Sequence, residues 1–231
     1  MLTPRISIII PVLNEETRIN SLITHLKGLD RSSQSEIIVV DGARTGNTIH
    51  AIDGEDVTKI ASPPGRAAQM NAGARLAVGG ILLFLHADTE LPMDGLARVS
   101  RAMEGGEYGA GAFLLGIGAP GLPFRIIERI SSLRARITRV PFGDQAIFMG
   151  REYFHKIGGY REIPIMEDVE IMRRIRSRGD KIVFIPERVR TSSRRWEKEG
   201  ILACTARNWT IRALYLLRVP PEKLVRFYPG D

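Results

Sequence analysis

Three apolar runs, two of them rich in β-branched residues and each followed closely by a polar group, limit what this chain can fold into. Ile6 to Val12, Glu36 to Val40 and Ile81 to Leu85 are apolar apart from Ser7 and Glu36 and show no polar alternation. Strands covered on both faces read this way. Between them, Ile19, Leu22, Ile23, Leu26 and Leu29 recur at helical spacing, and Pro63-Pro64-Gly65 precedes a predicted helix from about Ala67 to Ala77. Asn14 is the expected cap of the first helix, with Glu15 and Glu16 in its opening turn. Val57 to Ala61 supplies a further short strand. The alternation over residues 1–90 predicts an α/β fold: a single Rossmann-like domain with a mostly parallel central sheet flanked by helices.

The remainder is more mixed. Strands are expected at Gly109 to Ile117, Gln145 to Met149, Lys181 to Ile185 and Val189 to Ser193. Helices are expected at Phe124 to Ile137, Glu167 to Arg178 and Gly200 to Leu217. In the first of these, Ile126, Ile127, Ile130, Leu133 and Ile137 share one side. No repeat or low-complexity linker divides the 231 residues, so they are read as one domain.

Charge is unevenly placed. Residues 1–172 carry a net −2 and residues 173–231 a net +9. Such asymmetry suits a partner with negative charge, whether substrate phosphate or an anionic membrane surface. The helix bearing Trp209, Leu214, Tyr215 and Leu217 among arginines is the expected site of peripheral membrane contact. Aromatics at 6% argue against a nucleic-acid platform. The lone Cys204 excludes a disulfide framework and a cysteine metal site, and suits the cytoplasm. The opening MLTPRISIII lacks the layout of a signal peptide.

In an open α/β sheet, ligands bind beyond the carboxyl ends of the strands. Asn14-Glu15, Asp41 and Asp88 occupy three such ends and form one candidate site. Neither G-x-G-x-x-G nor G-x-x-x-x-G-K-[ST] is present, so a phosphate-bearing ligand must be held otherwise. A divalent cation on Asp88, Mn²⁺ or Mg²⁺, is the natural alternative, with His86 two residues earlier able to assist.

These segments resemble family 2 glycosyltransferases over nearly the whole chain. The resemblance is carried by Ile8 to Glu15, by Val39 to Thr45, by Gly65 to Gly73, by Leu83 to Asp88 in the D-x-D position, by Glu167-Asp168 and by Arg195-Trp196. The versions HADT, PFGDQ, MEDVE and RRW are similar to a bacterial subgroup labelled arsenosugar biosynthesis or radical-SAM-associated transferases. The resemblance implies a GT-A fold, with residues 1–90 binding a nucleotide-sugar, probed first as a UDP-sugar, residues 91–198 binding the acceptor and 199–231 forming C-terminal amphipathic helices.

It also implies roles. Asp41 reads the uracil N3–H, Pro11 and Glu15 line the base and ribose pocket, and Arg66 and His86 face the phosphates. Asp88 holds the metal, Asp168 is the base that makes transfer inverting, and Glu167 assists it. Asp144, Gln145, Arg195 and Trp196 face the acceptor, with Arg194 beside Arg195 closing over phosphate. Three departures stand out. His86 replaces the first aspartate of D-x-D, Gly42 a second acid after Asp41, and Ser192 the glutamine of Q-x-x-R-W, which speaks against a processive polymerase. A sugar nucleotidyltransferase is the enzymatic alternative, but would want a glycine-rich basic loop after the first strand. A degenerate, non-catalytic binding module is the other, on account of His86.

Overall fold

The computed structural model describes residues 6–29 and 35–228. Along the chain, the elements are β1 (Ile6–Val12), α1 (Ile19–Leu29), β2 (Ser35–Asp41), α2 (Asn47–His50), β3 (Thr58–Ala61), α3 (Arg66–Leu76), β4 (Ile81–Phe84), β5 (Thr89–Glu90), α4 (Gly95–Met103) and β6 (Ala110–Leu114). There follow α5 (Leu122–Thr138), β7 (Phe148–Gly150), α6 (Arg151–Lys156), α7 (Glu167–Ser177), β8 (Ile182–Arg188), β9 (Arg190–Thr191), α8 (Arg194–Glu199), α9 (Ile201–Leu216) and α10 (Pro221–Leu224).

Among the described residues, seven strands form one sheet in the order β3-β2-β1-β4-β7-β6-β8, and β5 pairs with β9 in a separate ribbon. β7 runs antiparallel to both neighbours, while the other pairings in the large sheet are parallel. The apolar runs are therefore β1, β2 and β4, adjacent in the sheet, as their composition predicts. Side chains alternate across β1. Ile8, Ile10 and Val12 join the core beneath α1 and α4, whereas Ile9 joins the core beneath α3 and α7. This two-sided burial is what a strand without polar alternation requires.

Two local readings need correction. Asn14 does not cap α1: it stands at φ 54 and its Oδ1 accepts from Asn47 Nδ2. The carbonyl of Glu15 instead receives the Arg18 and Ile19 N–H groups. The strand expected from Gln145 begins only at Phe148, because Gly143–Gln145 forms a short 3-10 turn.

The side that α5 buries is not its apolar one. Its buried residues are Phe124, Glu128, Ser132 and Ala135. Leu122, Ile126, Ile130, Leu133 and Ile137 face outward. Glu128, 3% exposed, accepts from the Ile117 N–H at 2.7 Å and pairs with Arg125 at 2.7 Å and Arg188 at 3.2 Å. A buried charge with three donors is satisfied. That network, not the apolar spacing, fixes which side of α5 meets the sheet. No helix among the described residues is long and apolar enough to cross a membrane.

Candidate active site

The carboxyl ends of β1, β2 and β4 carry the first set of expected residues. Pro11 is buried within β1, paired to Val40. Glu15 receives an ion pair from Arg194 at 3.1 Å, tying the loop after β1 to the start of α8. Asp41 is fully buried. Its Oδ1 accepts from the Ala43 N–H, and its Oδ2 from those of Thr48 and Ile49. The carboxylate thus folds the loop around α2, where a base is expected to lie. Gln69, unremarked in the sequence, donates to the carbonyls of Val12 and Val40 and clamps the two strand ends. It also accounts for Gly42, since a Cβ there would lie 3.0 Å from the Gln69 side chain.

Across the cleft lies the loop between α5 and β7. The Gly143 N–H donates to Asp168 Oδ2 at 2.7 Å. A Cβ on Gly143 would sit 2.8 Å from His86 Nε2 and 3.6 Å from Asp168 Oδ2. Glycine therefore lets the end of β4 and the start of α7 approach each other. Gln145 points inward rather than toward the cleft. Its amide donates to the Phe113 carbonyl and accepts from Phe142 N–H, shaping the turn that carries Asp144. Asn71 on α3 holds both backbone polar groups of Tyr160, anchoring the segment before α7.

Electrostatics mark the same place. Burial, then the neighbouring Asp168, pushes Asp144 up to about 6, and its Oδ1 is buried without a partner. Burial, then Asp168, raises Glu167 to about 7. Burial also raises Asp168, against the opposing N–H bonds from Gly143 and Val169. His86 is pushed down to about 4 by burial, then by Arg66, and so stays neutral. Arg66, the first residue of α3, acts on His86, Asp144, Glu167 and Asp168 alike, which places its charge among them. Raised carboxylates beside a lowered imidazole are what a cleft built for proton transfer contains.

The backbone is strained in the same region. Asn14, Ala146 and Met166 all have positive φ, and each lies within two residues of a candidate site residue. Such conformations cost roughly 1–3 kcal/mol each and persist where the surroundings impose them.

Two cations were missed. Arg134 of α5 lies over the Phe142 ring at 3.6 Å, and burial lowers it to about 10. Arg212 of α9 approaches the same ring at 5.5 Å. No local motif marks either; only packing brings them to Asp168, whose charge acts on both. Asp88 Oδ1 accepts from the Thr89 hydroxyl, and the Asp88 carbonyl from Ser192 N–H, so the β5–β9 ribbon ties it to the segment before α8. Arg195 lies near enough to lower His86, with its guanidinium 4.7 Å from the Tyr228 ring. Trp196 packs edge-on against Phe124 and belongs to a small core.

As to a metal, no group of three His, Cys, Asp or Glu able to hold one occurs among the described residues. The donor set nevertheless suits a hard cation. Asp88 offers a carboxylate and His86 a neutral nitrogen; Mg²⁺ and Mn²⁺ complete such sites with phosphate and water.

Residues 7–163 match Glycosyl transferase family 2. No curated protein matches the chain in sequence. Among solved structures it is similar to the mannosyltransferase PcManGT from Pyrobaculum calidifontis in complex with GDP-Man and Mn²⁺. That pair is 22% identical with a TM-score of 0.69, covering 100% of this chain and 66% of the other. It is also similar to S. aureus TarS 1-349 in complex with UDP-GlcNAc, at 16% identity and TM-score 0.64, covering 81% of this chain and 58% of that one. At these identities the likeness is one of fold, and the chain spans less than two thirds of either structure's length.

Proposed function

The chain belongs to glycosyl transferase family 2, and from that premise we propose that it transfers a single sugar from a nucleotide-sugar to an acceptor hydroxyl with inversion at the anomeric carbon. The observation that carries this reading is the pairing across Gly143. The phosphate-side groups Arg66, His86 and Asp88 face three desolvated carboxylates, Asp144, Glu167 and Asp168.

Arg66 and Arg195 supply positive charge to the diphosphate. Asp88, with neutral His86, would hold Mn²⁺ or Mg²⁺, and the ion when bound neutralises charge on the leaving nucleoside diphosphate. Asp168 accepts the acceptor hydroxyl proton as that oxygen bonds to the anomeric carbon and the bond to diphosphate breaks. Its raised proton affinity, caused by burial, suits this task, because a base works best with a pKa near the working pH. Glu167 and Asp144 each interact electrostatically with Asp168, so their protonation adjusts when Asp168 takes a proton. Arg134 and Arg212 hold negative charge in the cleft. Asp41 and Gln69 act at one remove by shaping the loop over which the base would lie.

The donor base is the open variable. Relatives by fold carry GDP-Man in one case and UDP-GlcNAc in the other, and UDP is our first choice from the sequence resemblance. Ser192 in place of glutamine favours single transfer, and the HADT, PFGDQ, MEDVE and RRW segments point toward the arsenosugar-type subgroup. Residues 1–90 would serve the donor and 91–198 the acceptor; the buried thiol of Cys204 suits a reducing cytoplasm.

The test is calorimetry of UDP, GDP and ADP with and without Mn²⁺, on wild type and Asp88→Ala. We expect one nucleoside diphosphate to bind with Mn²⁺-enhanced affinity, and Asp88→Ala to lose the enhancement while melting normally. Metal-independent affinity, equal in both proteins, would remove Asp88 from the reading.

A further inference from the structure

α5 is built inside out. Glu128 and Ser132 are buried, while Leu122 and Ile137 are 72% and 73% exposed and Leu133 is 60% exposed. With Ile126 and Ile130 they form one stripe along the helix, opposite the buried face. Solvent-facing stripes of this length are not the norm for a helix on a sheet and mark an interaction surface.

α9 carries a second stripe. Leu202, Trp209 and Leu216 recur every seven residues and are all exposed. Leu214 and Tyr215, by contrast, pack inward. The two helices share two sets of neighbours. Ile127 and Ile201 pack on the same small core, and Arg134 and Arg212 both approach the ring of Phe142. On each helix these mutually facing residues stand about a quarter turn from the stripe. The stripes therefore open to the same side and make one apolar face.

Its border is cationic. Arg129, three residues after Ile126, and Arg136, three after Leu133, flank the α5 stripe and are exposed. The acid of α5, Glu128, is buried in its network, and α9 contains no acidic residue. A two-fold copy of this face would set arginine against arginine with no carboxylate to answer it. A bilayer with anionic headgroups answers both parts: apolar side chains enter the acyl boundary, arginines meet phosphate, and Trp209 takes the level favoured by indole.

We propose that the α5–α9 face docks the protein on an anionic lipid surface. The surface adds the outward stripe of α5 to the Trp209-bearing helix to which sequence alone assigns such contact, and its test needs neither donor nor acceptor.

Flotation with vesicles of phosphatidylcholine containing about 30% phosphatidylglycerol tests it. Wild type should float with them at low salt and less with pure phosphatidylcholine. The double variant Leu133→Gln/Ile137→Gln, at exposed positions and so melting as wild type, should partition about tenfold less. Arg129→Glu/Arg136→Glu should lose the salt-sensitive part of binding. Lys223→Glu/Arg226→Glu, beyond α9, should float as wild type. Wild type left in the soluble fraction, or α5 variants that float undiminished, would overturn the proposal. So would a dimer in solution that Leu133→Gln/Ile137→Gln dissociates, which would assign the face to a second copy.

Discussion

Asp41 and Asp168 are both aspartates at the mouth of the cleft, and the fold treats them in opposite ways. Asp41 is buried with three backbone N–H groups directed at its two oxygens. Asp168 is half-buried near Glu167 and Asp144, and desolvation raises it despite two backbone N–H bonds and the charges of Arg66 and Arg134. On one rim of the cleft the carboxylate is answered by backbone donors. The other stores unfavourable charge, and the positive φ of Met166 and Ala146 adds strain there. The contrast separates residues that build the site from residues able to react in it, since only the second kind holds free energy that a proton or ligand can release.

The largest expected effect lies on the stressed rim. Asp168→Asn keeps size and most hydrogen bonding but cannot accept a proton. Turnover should fall about 10²-fold or more, with donor affinity little changed and melting unchanged or raised. Single-turnover transfer at saturating donor, beside a melting curve, measures this. Near-normal turnover in the folded variant would break the comparison and move the base to Glu167 or Asp144.

Next is Asp41→Ala. It orphans three backbone donors in a buried loop, which should cost about 3 kcal/mol of stability. If Asp41 only shapes the loop, affinities for UDP and ADP should fall alike. A selective loss of UDP would mean that Asp41 also reads the base and would blur the difference between the rims.

The pH dependence sharpens the same point. The carboxylates at about 6 and about 7 are ionised only above those values. Because they interact, kcat/KM should climb over the range from about pH 5.5 to about pH 7.5 as a property of the group rather than of one residue. A profile already flat at pH 5.5 would show that no carboxylate of the stressed rim limits the reaction.

The smallest effect is on stability. Glu167 binds its proton more tightly folded than unfolded, so its contribution is favourable at low pH and is lost as pH rises from about 4.5 to about 7. Above pH 7 the ionised side chain is a burden. Glu167→Gln should therefore stabilise the protein by about 1–2 kcal/mol at pH 8 and by little at pH 5. Melting at both values decides it; destabilisation at pH 8 would mean that the charge is answered by a neighbour.

What the sequence alone determined is the sheet and the rough location of the cleft. Runs such as Ile6–Val12 and Glu36–Val40 admit little but doubly covered strands, and the residues after them then fall at adjacent strand ends whatever else the chain does. The helix α1 was legible for the same reason: Ile19, Leu22, Ile23, Leu26 and Leu29 are all buried on the spacing predicts. Tertiary structure decided the rest. Apolar spacing in α5 defines a stripe but not the side that meets the core. Glu128 settles that through Ile117 and Arg188, the latter 60 residues away. The antiparallel course of β7, the burial of Asp41 beneath α2 and the arrival of Arg134 and Arg212 at Phe142 are likewise decided by partners distant in sequence. Periodicity reports how a segment divides its own surface; which part is buried depends on whether another segment can satisfy the polar groups that go in with it.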